Sequence, residues 1–197
     1  MRFANPALST LAVLLTLGIG GCAGGDGEGD AKPVAAPAEA ATVISAASLT
    51  AGQAVPAPAG KAILTVTGKI TRGNKAGALA LDVATIEKLG VKQIGVYEPW
   101  VKQHLDFRGV WLSDLLAVAG VAPGATTVHV VAHDDYAVDL PISAVKPGAV
   151  MLATRTGDGS AIPVDNGGPT RVIFGDGVAA GSNPDQWIWS LKTIDVI

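Results

Sequence analysis

Apolar and polar positions form short blocks along the last two-thirds of the chain, and the period changes from block to block. Residues 62–70 (AILTVTGKI) are rich in β-branched side chains and lie between Gly60 and Gly73, which predicts a strand. Asp82 stands just before residues 83–89 and Gly90 just after, the N-cap and C′ signals of a short helix. Residues 93–97 predict a strand. Residues 112–119 predict a second helix, with Ser113 or Asp114 near its start and Gly120 past its end. Short strands follow near residues 127–132, 136–140, 150–155 and 170–174, and a last one over about 186–196. Short strands broken by Gly, Pro and Asp turns, with few helices, indicate an α+β fold of mixed β-sheets carrying a few short helices.

The first residues follow a different rule. Residues 7–19 are mostly apolar, but the run is shorter than the roughly 20 residues a spanning helix needs. Arg2 precedes it and small residues follow, the pattern of a secretory signal over residues 1–21. Ile19-Gly20-Gly21-Cys22 resembles a bacterial lipobox, in which the cysteine is lipidated and becomes the new N-terminus. Acyl chains gain about 0.8 kcal/mol per buried CH₂, so several of them hold a domain on a membrane. An ordinary signal peptide followed by a coincidental cysteine is the alternative. With Ala23 rather than Asp after Cys22, the lipobox resemblance implies the outer membrane, facing the periplasm, in a Gram-negative cell. Residues 22–60 are rich in Ala, Gly and Pro and poor in large apolar groups, which predicts a flexible tether. A short ordered piece around Val43 and Ile44 is left open. The folded domain is then expected over residues 61–197, about 137 residues, an ordinary size for one domain.

Cys22 is the only cysteine, so a domain in an oxidising envelope has no disulfide to rely on and needs a packed core. The whole chain carries a formal net charge of −3, and losing Arg2 with the signal makes it one unit more negative. That excludes the strongly basic surface of a nucleic-acid binder. A GxGxxG phosphate loop and a GxSxG elbow are both absent; Gly157-Asp158-Gly159 and Gly175-Asp176-Gly177 read as turns. His129 and His133 are four apart, but along a strand that spacing separates them by roughly 13 Å, too far to chelate one ion. Structural or surface roles are expected for these two and for His104, and no metal site is predicted.

Several short segments occur in a telling order: Glu98-Pro99-Trp100; Phe107-Arg108-Gly109-Val110-Trp111-Leu112 running on to Leu115-Leu116; Asp134-Asp135-Tyr136; Gly167-Gly168-Pro169-Thr170-Arg171; and Trp187 to Val196 with Lys192 and Ile194. In this order they resemble the molybdopterin-binding domain of the sulfite oxidase family, with its FxGxxLxxLL, D-G-Y, G-x-P-x-R and W…K…I segments. Asp135 replaces the central glycine of the D-G-Y turn. The resemblance implies an oxidoreductase fold, a molybdopterin cofactor, and a pocket built from Val96, Glu98, Trp100, Asp135, Tyr136 and Arg171. Arg171, with Arg108 or Arg155, would contact the pterin phosphate. The family binds molybdenum through a cysteine thiolate in a segment like R-C-V-E-x-W. Aligning Glu98 and Trp100 with it puts Val96 at the cysteine position. The signal carries one arginine rather than a twin-arginine pair, so the chain would cross the membrane unfolded, without a pterin.

The residues also have a plainer reading. Phe107, Trp111, Leu112, Leu115 and Leu116 suit a core packed on a helix. Asp134-Asp135 and Gly167-Gly168-Pro169 suit turns. Arg171, Trp100 and Tyr136 are the exceptions, because an arginine fork suits an anion and aromatics wall a pocket. Two functions are therefore expected to compete. One is a non-catalytic accessory module on a lipid anchor, holding a small anionic ligand or an envelope protein partner. The other is a molybdopterin-dependent oxidoreductase without a cysteine ligand. A purely structural envelope protein is a third.

Overall fold

A computed structural model describes residues 41–197. The signal, Cys22 and the first part of the tether lie outside the described residues. Among the described residues, ten strands form two five-stranded sheets. The first contains β1 (Thr42–Val43), β4 (Lys92–Glu98), β5 (Gln103–Trp111), β8 (Val150–Thr156) and β9 (Arg171–Phe174), neighbours in that order and all antiparallel. The second runs β3 (Leu79–Leu81), β2 (Leu64–Gly68), β10 (Leu191–Val196), β6 (Thr127–Ala132) and β7 (Ala137–Pro141). Its one parallel pair is β10 with β2, which brings the end of the chain beside the start of the domain. The α-helices are α1 (Val83–Glu87) and α2 (Leu112–Ala119). The mixed-sheet α+β architecture expected from the sequence is the one observed.

Alternation along the strands builds the core. On β6, Val128, Val130 and Ala132 point inward and His129 outward, where its ring meets Asp139 at 2.6 Å. On β10, Leu191, Ile194 and Val196 are buried. These meet Leu112, Leu115 and Val118 of α2 and the inward residues of β8 and β9 in one contiguous apolar cluster. Residue positions with period two on strands and 3.6 on the helix are what permit a single core.

α1 begins where the sequence says. The Asp82 carboxylate accepts the Thr85 N–H at 2.8 Å and the Gly60 N–H at 2.9 Å. The Thr85 side chain foremost, then the Gly60 N–H, lowers the Asp82 pKa from 3.8 to about 2. A carboxylate depressed on folding adds stability above its unfolded pKa and loses it as pH falls through the folded value. Stability from Asp82 is therefore complete above about pH 4 and gone below about pH 2. Asp82→Ala is expected to cost about 1 kcal/mol at neutral pH and to flatten the acid limb of a stability-against-pH curve measured by denaturant titration.

Three features depart from the sequence reading. The segment assigned to the tether packs on the domain from residue 42 to residue 49, at the short piece around Val43 and Ile44 and beyond it. β1 pairs with β4, the Ile44 N–H bonds the Val91 carbonyl at 2.8 Å, and Leu49 is buried in the core. The sparse apolar residues of this segment suffice because the existing sheet edge supplies their partners. β5, the longest strand, was not foreseen, since Gln103-His104-Leu105-Asp106 lacks β-branched residues. It forms because residues 99–102 turn the chain back and register it against β4 from Glu98↔Gln103 to Lys92↔Gly109. Phe107 and Trp111 thus sit on a strand rather than on the helix they precede, and α2 starts without a side-chain cap. The last strand is also shorter than expected. Pro184–Gln186 form a 3₁₀ turn and Ser190 takes φ +49°, so pairing resumes only at Leu191.

Candidate functional site

The inward face of β4 carries Ile94, Val96 and Glu98. Period two therefore places a carboxylate where the two preceding positions place apolar core. Glu98 is wholly buried. Its Oε2 accepts the N–H groups of Trp100 and Val101 at 2.9 and 2.7 Å, closing the hairpin between β4 and β5. Its Oε1 accepts from Arg171 Nη2 at 2.5 Å. Arg171 opens β9, and its side chain is only 4% exposed. The guanidinium lies between two rings, 5.2 Å from the Phe107 centroid and 4.4 Å from that of Trp189. Nη1 reaches the Asn166 carbonyl at 3.3 Å, and Nε has no partner among the described residues. Burial pushes the Arg171 pKa down from its ordinary value, while the hydrogen bond and charge of Glu98 pull it up.

Trp189 forms one wall of an open cleft of about 420 Å³. Trp100, Tyr136 and Trp187 form the other aromatic walls, and Asp134 and Asp185 are its charged residues. The Tyr136 hydroxyl donates to the Asp185 carbonyl at 2.7 Å, tying the β6–β7 turn to the 3₁₀ segment. Trp187 Nε1 donates to the Gly181 carbonyl at 3.0 Å. The Gly167–Pro169 turn supports Trp189 from behind: a Cβ on Gly167 would lie 2.7 Å from the indole. Ser190 N–H and Oγ bond the Gly167 and Gly168 carbonyls at 2.7 and 2.8 Å.

Of the six residues expected to share a pocket, Trp100 and Tyr136 line this cleft. Val96 does not; it is buried among apolar neighbours. Glu98 and Arg171 do not line it either, because they form the ion pair behind it. Asp135 sits beside it, exposed and 3.3 Å from Lys192. Its φ of +65° explains why the family's turn has a glycine here, since Asp is among the few other residues that tolerate this conformation. The expectation that Arg171 holds an anion needs correction, as its accessible charge is taken by Glu98. Arg108 and Arg155 are engaged as well, with Gln93 at 2.9 Å and Glu87 at 2.7 Å. The sequence reading missed Trp187, Trp189, Asp134 and Asp185 as wall residues. The Trp187-Ile188-Trp189 alternation signals a strand rather than a wall.

The residues here do not fit a molybdenum centre of the thiolate type. A soft metal needs a soft donor, and the aligned position offers the fully buried hydrocarbon of Val96. Among the described residues no group of three or more His, Cys, Asp or Glu side chains is placed to hold a metal ion.

Comparison with solved structures finds the same fold in the sulfane dehydrogenase SoxCD from Paracoccus pantotrophus, at a TM-score of 0.53 and 18% identity. The match covers 68% of this chain and 37% of that one, so the chain spans well under half of its neighbour. No curated protein matches the sequence. The family model described as oxidoreductase molybdopterin binding domain matches residues 84–196, from α1 to the end of β10. Those residues hold the buried Glu98–Arg171 pair and every wall of the aromatic cleft, and the chain belongs to the oxidoreductase molybdopterin binding domain family.

Proposed function

We propose that this chain is an envelope lipoprotein, anchored through Cys22, whose domain serves as a non-catalytic ligand-binding module within an oxidoreductase family. The observation that carries the reading is Val96. It occupies the aligned cysteine position, and its side chain has no accessible surface and no donor atom. The neutralisation of Arg171 by Glu98 and of Arg155 by Glu87 supports it further, because neither of these charges is left for a pterin phosphate. What remains is a walled aromatic cleft, within the range of about 300–1,000 Å³ common for small-ligand sites.

Molybdenum analysis of protein purified from its native envelope is expected to return far less than one metal per chain. Stoichiometric molybdenum would overturn the reading and favour a molybdopterin-dependent oxidoreductase that lacks a cysteine ligand, which family membership supports. The anchor is tested separately. Cys22→Ser is expected to move the protein from the detergent phase to the aqueous phase, and an unchanged partition would remove the lipid from the proposal.

A further inference from the structure

Building on the reading of the domain as a binding module, we infer that the aromatic cleft is a site for a small organic cation, an ammonium group carrying apolar substituents. The chain is poor in aromatics, with four tryptophans and two tyrosines, yet three of those tryptophans and one tyrosine meet at this cleft. Core packing accounts for Trp187, which lies against Phe174, but not for Trp100 and Tyr136, which are 54% and 46% exposed. Large aromatic faces left in water around a concavity are the usual mark of a binding surface.

Charge then selects the ligand. Among the described residues, the charged residues that line the cleft are Asp134 and Asp185, both acidic. Asp134 Oδ1 accepts the Tyr136 N–H at 3.1 Å, and the Asp185 carboxylate accepts no hydrogen bond among the described residues. Two cations beside the cleft are answered elsewhere. Arg171 lies behind Trp189 and is neutralised by Glu98, and Lys192 reaches Asp135, which stays outside the cleft. An anion would meet two carboxylates and no cation. A cation would meet ring faces, whose quadrupole attracts it, together with the same two carboxylates. The Tyr136–Asp185 and Trp187–Gly181 hydrogen bonds hold two of the walls before any ligand arrives, which reduces the ordering needed on binding.

The test uses the whole protein and its tryptophan fluorescence, titrated with choline, with butylammonium, with 3,3-dimethylbutan-1-ol as the uncharged isostere of choline, and with phosphate. At least one ammonium probe is expected to bind saturably, about tenfold more tightly than the neutral isostere. Asp185→Asn and Trp100→Leu, both at exposed positions, are each expected to weaken that binding about fivefold or more while leaving the melting temperature in place. Equal affinity for choline and its isostere would overturn the cation assignment yet leave a binding module. Binding of phosphate in preference to the ammonium probes, or saturable binding by neither ammonium, would overturn it too. The module reading itself stands or falls on the separate molybdenum analysis.

Discussion

Arg171→Met is expected to lower the free energy of unfolding by about 3–5 kcal/mol, the usual cost of removing one member of a buried ion pair. The loss is large because Glu98, with no exposed surface, would keep its charge in the core with two backbone N–H groups but no cation. The same substitution removes a cation held between Phe107 and Trp189. Glu98→Gln is expected to cost a similar amount for the converse reason, leaving a guanidinium 4% exposed without its carboxylate. The double variant Glu98→Leu with Arg171→Met tests the account further. Replacing both charges by apolar groups is expected to recover much of the loss, but not all of it, because the Trp100 and Val101 N–H groups lose their acceptor. Urea titration of the variants decides the matter. A loss below about 1 kcal/mol for Arg171→Met, the range of a surface pair, would show that water reaches the site.

Gly168→Ala is expected to be nearly as damaging, at about 3 kcal/mol, the upper end of what overpacking costs. A Cβ there would stand 1.8 Å from the Ile162 carbonyl oxygen and 2.9 Å from that of Pro163. Both obstacles are backbone, so relief requires the Gly167–Pro169 turn to move. That turn backs Trp189 and receives the Ser190 hydroxyl, so the substitution is also expected to shift tryptophan emission. Gly60→Ala is the control. Its added methyl meets nothing closer than 3.7 Å, and its stability is expected to stay within about 1 kcal/mol of the parent. Comparable stability of the two variants would show that the turn moves aside at little cost and that the clash is not what fixes Gly168.

These predictions depend on how the aligned motifs are used, which the residues alone made ambiguous. Glu98 and Arg171 lie far apart in the chain, and either could have been a pocket group. In the fold they satisfy each other, so the arginine expected to face a ligand faces a carboxylate instead. Tyr136 and Trp100 line the cleft because their backbone positions lie at a turn and a hairpin tip, where side chains project into solvent. Trp187 and Trp189 were hidden by an alternating pattern that resembles a strand. Only the 3₁₀ turn at Pro184–Gln186 and the positive φ of Ser190 separate them from β10 and turn them toward the cleft.

Elements whose signals are local can be read from the residues alone. The Asp82 cap of α1, the span of α2 with Gly120 at φ +67° behind it, and the alternating strands β6 and β7 were legible, because caps, glycine turns and period-two burial act within a few residues. The residues alone also show that no thiolate stands at position 96. The tertiary structure decided everything that rests on partners distant in sequence. β5 exists because β4 and β8 flank it, Thr42 and Val43 form a strand because a sheet edge receives them, and Arg171 is buried because Glu98 makes burial tolerable. The cleft belongs to this second class. Its walls come from a hairpin tip, a turn and a chain segment near the C-terminus, and packing alone brings those three together.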